Sequence, residues 1–364
     1  MSDKIIDLKT VNEKMEQCLK DRHLTNGGKN VVRLQDWIRR NFLINDDKEV
    51  LMVCNGAMGL NALIGGLCIH HNRKLKFAVQ SFTFPCSVQG MLTDSLVMDL
   101  DDNLGPDITR LEAERDRYDG IVITNPFGCV TNISLYERFC SKHNKMLIFD
   151  NAASPMAEYE GGNILNRGIG CMVSLHHTKP VGFGEGGFIV FDKELLGPMS
   201  KAICFGFTSV DKYNFSPYAG NHKMSEVSCI YIAEYLKRLP EIHRHHTTTV
   251  SRFIDRLEGQ DSLRHRVSLF RSYAPYGESL MSTIPVLFDF HADVSFFIER
   301  GIEAKKYYYP LDATHRYSKD LFDRIICLPL NMQVDDAAVD RYIRVLLEYV
   351  DAKAPVDVRE GDSL

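Results

Sequence analysis

No apolar run in this 364-residue chain is long enough to span a bilayer. The opening Met1-Ser2-Asp3-Lys4 lacks the cationic stretch followed by an apolar one that marks an export signal. Charge of one sign is also missing. The net charge is −5, with 25% charged residues of both signs, so no broad basic surface favours nucleic acid or an anionic membrane. Paired metal-type spacing is absent from the ten cysteines, Cys18, Cys54, Cys68, Cys86, Cys129, Cys140, Cys171, Cys204, Cys229 and Cys327, several of which sit in apolar runs as buried thiols do. His243, His245 and His246, and the adjacent His70 and His71, lack the i, i+4 spacing with a carboxylate partner, so no metal is expected. There are no internal repeats or low-complexity segments. These absences point to a reducing cytoplasm and a small substrate.

What is present is a hydrophobic fraction of 45%, enough for a large core in one larger and one smaller domain. Residues 30–192 alternate helical and strand patterns, as an α/β domain with a mostly parallel sheet does. Strands are expected at Val50–Val53, Phe77–Gln80, Leu96–Leu100, Ile121–Thr124, Met146–Asp150, Met172–Leu175 and Phe188–Phe191. Most are continuously apolar, the pattern of strands buried on both faces by crossover helices. After residue 240 a His/Thr-rich stretch leads into a smaller α+β domain. It has a strand at Val286–Phe290, a helix at Val294–Arg300, and a run at Lys305–Pro310 whose Tyr307-Tyr308-Tyr309 reads first as strand and second as an aromatic wall. A last helix is capped by Asp335 or Asp336 and carries a stripe from Val339 to Val350. The resulting division is 1–240, 241–352 and a loose tail, 353–364.

Candidate chemistry concentrates between two of these strands, in Ser174-Leu175-His176-His177-Thr178-Lys179 followed by Gly184-Glu185-Gly186-Gly187. A lysine amine attacks an aldehyde only when unprotonated, which desolvation achieves, and the glycines let backbone pass close to a bulky ring. A solvated turn lysine has the same sequence. Asp150 ends a buried strand, where open α/β sheets bind ligands, and a carboxylate there can pair with a protonated pyridine nitrogen or simply cap a turn. Asn55-Gly56-Ala57-Met58 opens an apolar helix, a start suited to phosphate, to which Ser174 could add a hydroxyl. It is neither a Walker loop nor a three-glycine dinucleotide fingerprint. Phe84 lies just past a strand and could stack on a heteroaromatic ring or pack in the core.

In this order the motifs resemble the DegT/DnrJ/EryC1/StrS family of pyridoxal-phosphate (PLP) dependent sugar aminotransferases, over nearly the whole length. The matching segments are Leu24-Thr25-Asn26-Gly27-Gly28 ahead of a helix with Val31, Leu34 and Ile38, then Asn55-Gly56-Ala57, Ser81–Phe84 and Asp150-Asn151-Ala152-Ala153. The lysine motif follows, then Gly220-Asn221-His222-Lys223-Met224-Ser225-Glu226, Tyr308-Tyr309-Pro310-Leu311 and Leu328-Pro329-Leu330. The resemblance implies an aspartate-aminotransferase-like fold (fold type I), with a mostly parallel seven-stranded sheet and a smaller α+β C-terminal domain. It implies PLP held by Lys179 as a Schiff base, Asp150 on the pyridine nitrogen and Phe84 on the ring. Phosphate would be held by Gly56, Ala57, Met58 and Ser174, and Asn221 would reach the phosphate of a neighbouring subunit in a homodimer with shared sites. Apart from the resemblance, His176 and His177 could line the substrate pocket or simply pack or hydrogen-bond locally, and Tyr308 and Tyr309 could wall it. Two positions depart from the family: Ala153 replaces a cofactor-contacting Gln or His, and Asn125 stands where a His is usual, both expected beside the cofactor. A dehydratase branch carries His in place of the lysine, so the lysine favours transamination.

The implied reaction moves an amino group from L-glutamate to a nucleotide-linked keto-deoxy sugar, first a 4-keto-6-deoxy sugar, for surface polysaccharide such as O-antigen. A smaller ketone, triose phosphate or inosose, is the alternative within enzymes. A PLP-binding regulatory protein without turnover is the alternative outside them, weakened by the lack of basic clusters.

Overall fold

The computed structural model describes residues 4–207 and 215–353, so Met1 to Asp3 and all of the expected tail but Lys353 lie outside the described residues. Two helices open the fold, α1 (Leu8–Asp21) and α2 (Lys29–Asn41), followed by β1 (Lys48–Val53), α3 (Gly56–His70), β2 (Phe77–Gln80), β3 (Leu96–Met98) and α4 (Ile108–Ala113). Then come β4 (Gly120–Thr124), α5 (Ile133–His143), β5 (Met146–Asp150), a hairpin of β6 (Glu158–Tyr159) and β7 (Gly162–Asn163), and the strands β8 (Gly170–Ser174) and β9 (Gly187–Asp192). Helices α6 (Leu196–Ile203), α7 (Glu226–Leu236), α8 (Leu239–Glu258) and α9 (Asp261–Arg264) precede β10 (Val267–Leu269) and β11 (Ile284–Phe288). The described chain closes with α10 (Ser295–Glu299), α11 (Arg316–Arg324), β12 (Ile325–Leu328) and α12 (Asp336–Ala352).

Seven strands form one sheet in the order β1-β9-β8-β5-β4-β2-β3. The ladders β8-β5-β4-β2-β3 are parallel, and β9 alone runs antiparallel to both of its neighbours. Every residue of β2, β4 and β8 is buried, as continuous apolar strands covered on both faces must be. All seven expected strands are present, with ends shifted by a residue or two. β3 stops at Met98 because the Asp99 carboxylate turns away to accept the Tyr317 and Ser318 N–H groups, both at 2.9 Å.

One side of the sheet packs Leu34, Ile38, Ile123 and Phe149 with α7 residues, and the other packs Leu63, Ile64 and Leu67 of α3 against Val79, Ile148 and Ile189. Burying each such side chain contributes about 1.5–3 kcal/mol. Glu226 opens α7 with 1% exposure, and its carboxylate accepts the Asn30 and Val31 N–H groups at 2.8 and 3.1 Å, satisfying orphan donors at the start of α2. A Cβ at Gly28 would come within 2.7 Å of that carboxyl carbon.

Strands β10-β11-β12 form a separate antiparallel sheet, backed by Phe253, Phe297, Leu346 and Tyr349. α12 is capped by Asp335, whose side chain accepts the Ala338 N–H at 2.9 Å. One sequence reading needs correction, and one stretch given no element there folds as a helix. The His/Thr-rich stretch is the middle of the 20-residue helix α8, whose buried stripe Ile242, His246, Thr249, Val250, Phe253 and Leu257 is punctuated by poor helix formers. The tyrosine run is not a strand: Lys305 makes one bridge with Cys327, and Tyr308 then takes φ +39°, which no ladder accommodates.

Candidate active site

Asp150 ends β5, in register with Thr124 of β4 and Met172 of β8, so its carboxylate stands where the parallel strands open. It is 1% exposed and accepts the Ala152 N–H at 3.0 Å. Burial holds its carboxyl above the usual range, opposed by that amide and by the charge of Lys179. Lys179 lies in the turn between β8 and β9, which is closed by Lys179 N–H to His176 O (2.8 Å), His177 N–H to Gly184 O (2.8 Å) and Phe183 N–H to Leu175 O (3.0 Å). Burial pulls its amine below the ordinary lysine value, with Asp150 and Cys86 partly restoring it. The acid and the base thus face each other's fields in a desolvated space, each less inclined to carry charge than in water.

Cys86 belongs to this cluster and was not singled out from sequence. It is 4% exposed, its thiol is pushed up to about 12 by burial first, and it feels both Asp150 and Lys179. Below it, Thr83 and Thr124 share a hydroxyl hydrogen bond of 2.5 Å, and Gln80 ties the two strand ends by donating to Thr124 O and accepting its N–H, at 3.2 and 3.0 Å. The only sequence signal for this network is a polar residue directly after each apolar strand.

The start of α3, the end of β8 and the start of β9 converge. A Cβ at Gly56 would lie 2.9 Å from both Met172 Sδ and Ser174 Cβ, and one at Gly187 would lie 2.9 Å from Gly56 N. Ser174 is 8% exposed and accepts the His176 N–H at 3.2 Å. Asn55 caps the helix by accepting the Met58 N–H at 2.9 Å, so Met58, expected to face phosphate, already has its partner. The amides of Gly56 and Ala57 have no acceptor among the described residues.

Asn125 lies against the Asp150 loop with its side chain engaged by its neighbours. It is 1% exposed, its amide group donates to Asn151 Oδ1 (2.8 Å) and accepts the Thr131 N–H (2.9 Å), and Ser154 donates to its carbonyl at 2.7 Å. It is scaffolding beneath the Asp150 loop. Ala153 is 2% exposed. Phe84 is 59% exposed, which removes the core-packing alternative. Asn221 is exposed, with Lys223 Nζ donating to its Oδ1 at 2.5 Å. His177 sets its ring edge-on to Phe183 at 5.6 Å. The tyrosines split: Tyr308 packs on Phe82 and Phe127 at 5.5 and 5.1 Å and feels the charge of Asp150, whereas Tyr309 is 65% exposed and meets Phe322 at 5.1 Å. Among the described residues no cluster of three or more His, Cys, Asp or Glu could hold a metal ion, and no helix is long and apolar enough to cross a membrane.

Comparison with known proteins follows this geometry. The protein Rv3402c of Mycobacterium tuberculosis is 29% identical over 191 residues, 50% of this chain and 46% of that protein. The dTDP-4-amino-4,6-dideoxy-D-glucose transaminase of Shigella dysenteriae is 21% identical over 228 residues, 57% of this chain and 60% of that protein. The matched stretch thus spans about half the length of these curated relatives. A GDP-4-keto-6-deoxy-D-mannose-3-dehydratase of E. coli, solved with bound hydrated PLP, shares the fold with a TM-score of 0.79 at 17% identity, covering 95% of this chain and 98% of that one. A family model matches residues 6–346, and the chain belongs to the DegT/DnrJ/EryC1/StrS aminotransferase family.

Proposed function

We propose that this chain is a PLP-dependent aminotransferase that moves an amino group from L-glutamate to a nucleotide-linked keto-deoxy sugar, in the first instance a 4-keto-6-deoxy sugar. The observation that carries this reading is the pairing of a desolvated amine, Lys179, with a buried carboxylate, Asp150, beside a helix start with free amides. The residues fit the cofactor: Lys179 to hold it covalently, Asp150 to meet its ring nitrogen, Phe84 to lie against its ring, and Gly56, Ala57 and Ser174 to hold its phosphate. Gly56 and Gly187 leave the cradle narrow, as a phosphate held by backbone amides requires. When bound, PLP supplies an aldehyde carbon and a ring that accepts electrons.

The remaining chemistry is the chain's own. With its pKa depressed by burial, Lys179 can take a proton from the amine-bearing carbon of the donor and return it on the acceptor side. Asp150 holds the ring nitrogen protonated. Asp150 is buried and Lys179 half-buried, which limits the water that would compete for those protons.

The nucleotide-sugar assignment is supported by the likeness to the Shigella dTDP-4-amino-4,6-dideoxy-D-glucose transaminase. A homodimer with shared sites, with Asn221 reaching the neighbour's phosphate, is supported by the exposure of Phe215 (77%) and Tyr309 (65%), apolar surface that a second copy would cover. Surface-polysaccharide synthesis in the cytoplasm is the setting we propose. The test is purified protein, PLP and glutamate offered a panel of nucleotide-linked keto sugars beside triose phosphates and inososes, with amino products read by mass spectrometry. Amination of a nucleotide sugar supports the reading; amination of only the small ketones replaces its substrate, and conversion of none of the panel defeats it.

A further inference from the structure

Against the backbone of the turn that carries Lys179 sits a second lysine. Lys4 Nζ donates to the carbonyl of Lys179 at 2.5 Å and to the carbonyl of Gly182, and it lies 4.7 Å from the centre of the Tyr235 ring. The same turn receives the Tyr235 hydroxyl on Pro180 O at 3.1 Å. Lys179 O also accepts the Gly182 N–H at 3.1 Å, so one carbonyl closes the turn and takes the ammonium together. Lys4 is delivered there by a fixed element: Ile6 packs on the main core, and α1 lies along α7 through Val11, Cys18 and Ile230 and through Lys14 to Glu234 at 3.4 Å. Lys4, Thr178, Pro180, His246 and Met332 line a small, half-open cleft beside the turn.

We propose that Lys4 is a positioning residue for the cofactor-bearing lysine, clamping the 179–182 turn through charge-assisted hydrogen bonds to two of its carbonyls. The inference rests on Lys179 being the point of cofactor attachment. The ammonium form makes the stronger bonds, because an ionised donor roughly doubles a hydrogen bond's strength and adds attraction to the Tyr235 ring. Burial brings the Lys4 pKa down to about 7, so the clamp weakens as pH rises through neutrality. The titratable groups facing it are Tyr235 and Arg238 on the α7 side, His246 on α8 and Lys179 in the turn itself. Tyr235 is pushed up to about 12 and His246 down to about 4, both by burial first, and Arg238 is raised by its bond to Glu241, so none of these three titrates near 7.

The test compares full-length parent, Lys4→Met and Lys4→Arg, each loaded with PLP, by the rate of cofactor release after dilution from pH 6 to 9. Amide hydrogen exchange across residues 176–184 is followed in the unloaded proteins. Lys4→Met is expected to release cofactor about tenfold faster at pH 6, from loss of a charged hydrogen-bond donor, and to exchange faster in the turn. The parent's release should accelerate above pH 7, Lys4→Met should lack that rise, and Lys4→Arg, charged throughout, should stay slow and flat. Equal release by parent and Lys4→Met overturns the proposal. So does fast release by both variants with the parent's pH dependence intact, because that outcome describes local packing. A parent protein that takes up no PLP fails at an earlier step and overturns the functional reading along with the clamp.

Discussion

The backbone N–H of Asn125 donates to the carbonyl of Asp150 at 3.0 Å, and the Asn125 side chain holds both Asn151 and Thr131, so one residue at the end of β4 sets the attitude of the carboxylate at the end of β5. Asn125→Ala leaves the Thr131 N–H and the Asn151 side chain without partners in a dry interior. The expected cost is about 2–6 kcal/mol, from roughly 1–3 kcal/mol for each of the two buried groups left unsatisfied. Urea denaturation measures it, and a loss within about 0.5 kcal/mol, the range of ordinary surface substitutions, would show that the loop does not depend on this residue.

Asp150→Asn separates stability from chemistry. The folded carboxyl titrates above its unfolded value, so ionisation opposes folding: the penalty is full above the folded pKa and vanishes below the unfolded one. In the unloaded protein the amide variant should therefore be more stable than the parent at neutral pH, and the difference should shrink as the pH falls toward the ordinary carboxylate range. Its amino-transfer rate should drop on the order of 100-fold or more, because an amide cannot keep a ring nitrogen protonated. Thermal melts across pH and single-turnover rates read the two effects independently.

Lys179→Ala should remove covalent cofactor attachment and lower single-turnover amino transfer from glutamate by about 10³-fold or more, the scale of losing a positioned acid and base. Lys179→Arg should fare no better, since guanidinium is neither a nucleophile nor a base at neutral pH. Turnover retained in either variant would exclude this lysine from the reaction.

Gly56→Ala places a methyl group 2.9 Å from Met172 Sδ and Ser174 Cβ. Overpacking of that kind costs about 1–3 kcal/mol, and cofactor affinity should fall with it because the widened cradle displaces the Ala57 amide. Gly277→Ala, where an added Cβ meets nothing within 4 Å, is the matched control and should leave both within about 0.5 kcal/mol of the parent. Equilibrium PLP titration beside denaturant melts distinguishes them.

The large sheet was readable because its strands are unbroken apolar runs ending in punctuation, as Met146–Asp150 does. Lys179 and Asp150 were readable for a related reason: Asp150 ends such a run and Lys179 lies in the turn just after another, at the edge where ligands bind. Helix α8 was lost because Thr247, Thr248, Thr249 and its histidines dilute the 3.6-residue stripe, and only packing against α12 supplies what propensity does not. Tyr308 was misjudged since β-forming composition says nothing about a φ imposed by anchors on both sides, Lys305 on Cys327 and Leu311 on Ser81. The role of Asn125 as scaffold, and the place of Lys4 against the turn, depend on contacts between residues far apart in the chain, which no local pattern encodes.

Gly28 and Glu226 are linked in a comparable way, with consequences for how such chains diverge. A side chain at position 28 would need a shorter residue at 226, and a shorter residue at 226 would take the acceptor from Asn30 and Val31. The two sites must therefore drift in step, so a homologue that changes one and keeps the other has rebuilt the junction between the helices equivalent to α2 and α7.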